Sequence, residues 1–439
     1  MLYLGIDIGK SHHLAAFLSG DLLARHMRYD ACPTLAIENT RAGFDRLRAA
    51  IRQHADEAET CVLLERTGHY GASLEAYLSE QGCHLYWMQA RARYANNKTD
   101  RQDARALVVL LYNELELHAP TVDERLRISP IATPGREVRT LHGLVHHRDE
   151  LVAESTRRKN KLTAILDELF PEFVAVYHDP FTPSALACRE QFPTPTDVAE
   201  ADIEDVCHTR KRNQPSRADL MELQTLARAT IGTRDGARVA SLLVEQKQLI
   251  AELHLMMAHV EQLDGEIERL VASSRAGQIL LSFPGVASVQ AGKLLAGIGT
   301  ISNFESEAKL RGYLGWAPQS AQTGTSMDSS SLSKGGNPLL KKTVFMIVMT
   351  AIRSEPWKSR YAAMVARKCN YDGRRKEYTG RMKVVGHLCG HFIRVLYTLL
   401  KRDADLLADL PAGTEPPPPE CYDPARHITG QKKAGGTRH

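Results

Sequence analysis

Two aspartates three residues apart, Asp100 and Asp103, stand in the segment NNKTDRQDARAL (96–107), flanked by Arg101 and Arg105. At that spacing two side chains share one face of a helix. Taken alone, they suit a helix start. Thr99 or Asp100 can cap, and Asp103 meets the free N–H groups of a first turn, which attract negative charge. Two further acids widen the reading. Asp7 lies near the end of the apolar run LYLGIDI (2–8), and Glu65 ends CVLLE (61–65). In an open α/β sheet, groups at the carboxyl ends of neighbouring strands meet in one crevice. Four carboxylates gathered there repel one another unless a cation neutralises them. Mg²⁺ does so with hard oxygen ligands, and two such ions suit phosphodiester chemistry. Asp7, Glu65, Asp100 and Asp103 are therefore the candidate catalytic and metal-binding residues. Gly9 and Lys10, directly behind Asp7, would leave room for a phosphate backbone. The stretch GIDIGKS also fits the phosphate loop of actin-like sugar kinases, but a second such loop and a glycine-rich adenosine site are not found in the sequence.

The elements that must position these acids follow from periodicity and turn chemistry. After the first strand, HHLAAFLSGDLLARHMRY carries a Ser-Gly-Asp that reads as a hairpin turn between two further strands. A helix over about 40–54, the strand 61–65, a helix near 72–81, a strand over 84–90 and the helix opened by TDRQDARALVVLLY complete the segment. Three strands followed by helix–strand–helix–strand–helix argue an α/β layer on a mixed sheet.

Residues 138–170 are helical in pattern and hold a basic block, Arg157, Arg158, Lys159 and Lys161. A second block places Leu249, Leu253, Met256, Val260, Leu263, Ile267 and Leu270 at alternating spacings of four and three. That a/d seam fits a coiled coil or core packing against residues 138–170 of the same chain. Between the two blocks, residues 176–235 are interrupted by proline and read as an inserted, mostly helical lobe. The expected organisation is 1–120, an α/β domain; 135–272, a helical coiled-coil region with the lobe at about 176–235; 273–410, a mainly helical domain; and 411–439, a Pro/Gly-rich disordered tail. At 439 residues, several domains are in order.

Net charge is only +4, from 56 basic and 52 acidic residues, so the location of charge matters more than its sum. Eight scattered cysteines without a CxxC pair read as reduced thiols and disfavour zinc. No run reaches membrane-spanning length and no basic leader precedes the first strand, so a cytoplasmic protein is expected.

YLGIDIGKS, VLLERTGHYG and NKTDRQDARAL resemble, in order and spacing, the DEDD catalytic domain of the IS-one-ten class of insertion-sequence transposases, to which Piv-like DNA invertases are related. SFPGVASVQAGKLLAGIGTISNFESEAKLRGYLGWAP and SLSKGGNPLLKK resemble that family's second, transposase domain. The resemblance implies a ribonuclease-H-like N-terminal domain similar to Holliday-junction resolvases (RuvC-like). It implies a DNA recombinase guided by a structured bridge RNA that pairs with donor and target DNA, working as a dimer or tetramer at the nucleoid. The family's nucleophilic serine precedes a glycine in the polar loop 317–337. Counted from Gly315–Pro318, that position is Thr323, before Gly324. A threonine hydroxyl can attack, although its β-branch crowds it; Ser320 and Ser326 are the neighbouring alternatives. Lys334, Lys341 and Lys342 add local positive charge, and the basic block 157–161 is the candidate RNA contact through A-form shape. The proline–glycine turn at 284–285 either meets a phosphate at a helix start or simply begins the helix. Two other functions fit the same acids: a metal-dependent junction endonuclease using water, and a non-catalytic nucleic-acid-binding protein.

Overall fold

The computed structural model describes residues 1–28, 31–65, 69–88, 99–117, 128–130, 136–202, 204–205, 215–322, 328–332, 335–411 and 413–427; of 129–130, 319–322 and 328–331 it describes the backbone. The chain forms two compact units, Met1–Pro134 and Gly135–His439.

The first unit is a six-stranded mixed sheet in the order β3-β2-β1-β4-β5-β6. β1 (Leu2–Asp7), β2 (His12–Leu18) and β3 (Thr34–Glu38) run antiparallel in succession. β4 (Thr60–Leu64) and β5 (His84–Met88) lie parallel to β1, and β6 (Ile128–Pro130) closes the edge antiparallel. This is the α/β layer expected. One element differs: the Ser-Gly-Asp at 19–21 begins a helix, α1 (Gly20–His26), and the third strand starts only at Thr34. The reason is local. Ser19 accepts a hydrogen bond from the Leu22 N–H, Asp21 sits in the first turn, and Arg25 and His26 sit in the last. These are the side chains that a helix's ends prefer.

Alternation along β1 and β4 divides the core. Leu2, Leu4, Ile6, Val62 and Leu64 pack beneath α2 (Arg41–Arg52) and α3 (Ala72–Glu80). On the other face Tyr3, Cys61 and Leu63 pack beneath α4 (Asp100–Leu115), through Ala104, Leu107, Val108 and Leu111. There α4 comes so close to β1 that only glycine fits at position 5. A Cβ on Gly5 would lie 2.3 Å from the Val108 nitrogen and 2.4 Å from the Ala104 carbonyl oxygen.

In the second unit α5 (Arg136–Leu169) and α6 (Gly236–Ser273) form an antiparallel pair. Ion pairs at Arg148–Asp264, Arg158–Glu252 and Arg238–Glu168 set its register. The heptad seam faces α5 of the same chain: Leu249, Leu253, Ile267 and Leu270 are buried, and Met256, Val260 and Leu263 are half-buried. Of the two packings open from sequence, the intramolecular one is therefore formed. Phe170, Phe173, Tyr177, Leu220 and Leu223 give the intervening segment its own small core. The remaining core joins α7 (Ser288–Ile298), α8 (Pro338–Ala351), α9 (Trp357–Lys368) and α10 (Arg381–Asp409).

The expected disorder over 411–439 is corrected for 413–427. Tyr422 is buried against Phe283, its hydroxyl accepts from the Trp357 indole at 2.9 Å, and its N–H donates to the Ser282 hydroxyl at 2.8 Å. One large aromatic anchor outweighs the proline-rich composition, and Pro416–Pro419 pre-extend the strap that carries it. Residues 428–439 lie outside the described residues.

Gly5→Ala should destabilise the first unit by about 1–3 kcal/mol, as overpacking does, because a helix backbone rather than a flexible side chain blocks the new methyl group. Urea unfolding checks this. An unchanged midpoint would mean that α4 does not rest on β1 as described.

Candidate functional site

The parallel register of β1 and β4 pairs Gly5 with Leu63 and Ile6 with Leu64. One step further, Asp7 and Glu65 come level on strands spaced roughly 4.8 Å apart. Both have the parity of Cys61 and Leu63, so both belong to the α4 face. Both are half-buried.

α4 runs antiparallel to β1 over that face. The ring of Tyr112 meets that of Tyr3 edge-on at 5.3 Å, and the Tyr3 hydroxyl donates to Glu116. Burial, and then that hydrogen bond, drives the Tyr3 phenol far above its ordinary range. Next along β1, Gly5 meets Ala104 and Val108. Two more strand residues, roughly 6.6 Å, correspond to about four helix residues. They bring Asp7 level with the first turn of α4, which holds Asp100 and Asp103. Those two aspartates sit one turn before Ala104 and Leu107, both buried; Asp103 is half-buried and Asp100 exposed. Thr99 caps the helix by accepting from the Gln102 N–H, and Arg105 ties its start to the Cys32 carbonyl at 3.1 Å. The helix-start role and the shared acidic face thus coexist.

Register and parity give Asp7 and Glu65 to the α4 face of the sheet, and the first turn of α4 lies at the same end. Among the described residues, no three His, Cys, Asp or Glu side chains close to metal-holding distances. Residues 66–68 and 89–98, which adjoin Glu65 and Asp100, lie outside the description. As donors the four are hard oxygens, matched to Mg²⁺ and poorly suited to soft metals. Seven described cysteines are free. Gly9 has a reason of its own, since a Cβ there would strike the His12 carbonyl oxygen at 2.2 Å. It serves the β1–β2 turn.

The polar segment 317–337, expected as a loop, contains an antiparallel ribbon, β7 (Pro318–Gln322) paired with β8 (Asp328–Leu332). Its short polar residues, with no proline between 319 and 332, leave the backbone ladder uninterrupted. Thr323, Gly324 and Ser326, between the two strands in sequence, and Lys334, after them, lie outside the described residues, as does the side chain of Ser320. Lys341 stands over the Trp316 ring at 5.8 Å. At the 284–287 turn, Gln290 accepts from the Ala287 N–H, a helix-start contact.

The block at 157–161 is not a free row of charge. Arg157 pairs with Glu154 at 2.9 Å, Arg158 with both Glu154 and Glu252, and Lys159 lies over the Phe181 ring; Lys161 is exposed. A more open basic group went unread in the sequence, at Arg374, Arg375 and Lys376, all exposed. Its signal was an Asp-Gly turn followed by three cations.

Comparison with known proteins decides the family. Residues 4–171 match the transposase family model for the DEDD domain of IS110 transposases, and residues 277–363 match that of the transposase IS116/IS110/IS902 family. The chain belongs to the IS110 family of insertion-element transposases. It is 23% identical, over 94% of its length and 97% of the relative's, to the uncharacterized 43.6 kDa protein of insertion element IS110 from Streptomyces coelicolor. The uncharacterized 42 kDa protein of insertion element IS900 from Mycobacterium paratuberculosis is 22% identical over 92% of this chain and 96% of its own. A putative transposase of the Streptomyces coelicolor mini-circle, for IS117, is 22% identical over 74% of this chain and 78% of its own. The first match covers the sheet unit and runs on through α5 of the second unit; the other lies within the second unit and contains the ribbon β7–β8. Among the described residues no helix is long and apolar enough to cross a membrane.

A divalent cation held by these carboxylates should stabilise the folded chain. At one hundred times its dissociation constant, Mg²⁺ or Mn²⁺ should add about 2.7 kcal/mol. Asp103→Asn should fold and lose that response. Equal stabilisation of wild type and variant, followed by thermal unfolding, would detach Asp103 from the metal.

Proposed function

We propose that this transposase cuts and rejoins donor and target DNA, with Asp7, Glu65, Asp100 and Asp103 holding Mg²⁺ and the Thr323 hydroxyl acting as nucleophile. The observation that carries the reading is the common face: two strand-end acids in parallel register, with the first turn of α4 laid over them. Bound there, Mg²⁺ would supply Lewis acidity at a phosphate oxygen.

The residues divide the work. Asp7 and Glu65 hold fixed positions because a central sheet pair carries them. Asp100 and Asp103 ride on a helix whose placement is set by Gly5 and by buried Leu107, Val108 and Leu111. Thr323 Oγ attacks the scissile phosphorus; the new Oγ–P bond forms as the bond to the 3′ oxygen breaks, and the 3′ oxygen leaves as a hydroxyl after taking a proton. A hydroxyl on the other duplex then reverses the link. β7 and β8 flank in sequence the segment that holds residue 323, which lies outside the described residues. Bridge-RNA guidance and a dimer or tetramer that pairs one subunit's acids with another's ribbon are carried by the family resemblance, with Lys161, exposed and without an ion pair among the described residues, available for an RNA contact in the 157–161 block.

A threonine nucleophile should be slower than serine because its β-methyl crowds in-line approach. Thr323→Ser should raise recombination, and Thr323→Ala should abolish a covalent protein–DNA adduct on a denaturing gel. An adduct that persists in Thr323→Ala but vanishes in Ser326→Ala would move the role along the loop. Nicked DNA with no adduct in any variant would establish water as the nucleophile and a junction-type endonuclease instead.

A further inference from the structure

The segment RKCNYDGRRKEYTGRMK (367–383) holds seven cations and two acids. It lies beyond both regions matched by the family. Its middle folds as a two-stranded ribbon, β9 (Asn370–Asp372) paired with β10 (Glu377–Thr379), with Gly373–Lys376 as the tip. One side of the ribbon is fastened: Tyr378 packs on the C-terminal core and meets the ring of Tyr371 at 5.2 Å. On the same face Tyr371, opposite Tyr378 in register, is 58% exposed. Asp372 Oδ1 accepts from the N–H groups of Arg374 and Arg375 at 2.9 and 3.3 Å, which shapes the tip.

Three observations separate this patch from an ordinary solvated face. Elsewhere on the unit, Arg157, Arg158, Arg238, Arg269, Arg275, Arg394, Arg402 and Arg426 each have a carboxylate partner, and those without an ion pair among the described residues, such as Arg136, Arg139, Arg234 and Arg353, are scattered, whereas here five such cations fall within 374–383. Arg374, Arg375, Lys376, Arg381 and Lys383 have no ion pair among the described residues. Arg381 and Lys383 open α10, where the helix dipole favours acids, so helix stability does not account for them. Lys376 takes a left-handed backbone (φ 54°) that glycine or asparagine adopts at lower cost.

We propose that the β9–β10 ribbon is a DNA-contacting element that lays its basic tip against the phosphates of a B-form duplex, with Tyr371 against the groove wall. The shape selects the duplex. Two strands roughly 4.8 Å apart fit a B-form major groove about 12 Å wide, whereas the A-form RNA major groove is deep and narrow. The proposal rests on the reading of the chain as an enzyme of DNA.

The test titrates the full chain and the variant Arg374→Gln/Arg375→Gln/Lys376→Gln against a short random-sequence DNA duplex over a series of salt concentrations, by fluorescence anisotropy. Each lost phosphate contact should lower the slope of log affinity against log salt by roughly 0.9, so the triple variant should lose close to 3. Unfolding midpoints of the two proteins should agree, since the tip is exposed. If the triple variant unfolds, Lys376→Gln alone should lower the slope by about 0.9. An unchanged slope overturns the assignment while leaving the recombinase reading intact. A slope that falls on double-stranded RNA but not on DNA overturns it in favour of RNA. Wild-type protein that binds no duplex at low salt overturns the reading on which the proposal rests.

Discussion

The contact between Gly5 and the backbone of α4 is the constraint on which the acidic face depends. A helix resting on a sheet through side chains can slide or lift by an ångström at little cost. Here a helix turn sits against bare strand backbone, with Val108 nitrogen and Ala104 oxygen where a Cβ would be. Height and register are both set. From that point, the pitch of one helix and the rise of one strand carry Asp100 and Asp103 to the strand end that bears Asp7.

Magnitudes explain why the arrangement holds before any cation arrives. Two carboxylates about 5 Å apart repel by on the order of 3 kcal/mol at an effective dielectric of 20. Burying Leu107, Val108, Leu110 and Leu111 contributes roughly 1.5–3 kcal/mol each. Packing outweighs a repulsion of that size, so α4 stays docked. In the second unit the same competition runs the other way. Along α5 and α6, Arg158 and Arg238 meet glutamates on the facing helix and lose their availability. On the ribbon 370–379 they meet nothing of opposite sign within ion-pair range among the described residues.

Much of this was legible in the sequence because it is encoded locally. Strand ends at Asp7 and Glu65, the cap at Thr99 and the heptad seam all follow from neighbours within a few residues. What could not be read depends on distant partners. The Ser-Gly-Asp at 19–21 fits either a hairpin or a capped helix, and Leu22, packed into the sheet's core, favours the helix. Tyr422 looks like part of a disordered tail until Phe283 and Trp357 are seen to receive it. The block 157–161 looks free until Glu252, 94 residues from Arg158, comes opposite. Gly5 reads as one more small residue in an apolar run. Its role appears only when α4 is laid upon it.

The central claim is that one divalent-cation site is built jointly by β1, β4 and the first turn of α4. Fe²⁺ in place of Mg²⁺, with ascorbate and peroxide, cuts a polypeptide backbone beside the bound ion, and mass spectrometry locates the cuts. The account predicts cuts near Asp7, Glu65 and Asp103 together, all suppressed by excess Mg²⁺ and all lost in Asp7→Asn. Cuts confined to one of the three segments, or insensitive to Mg²⁺, would contradict it.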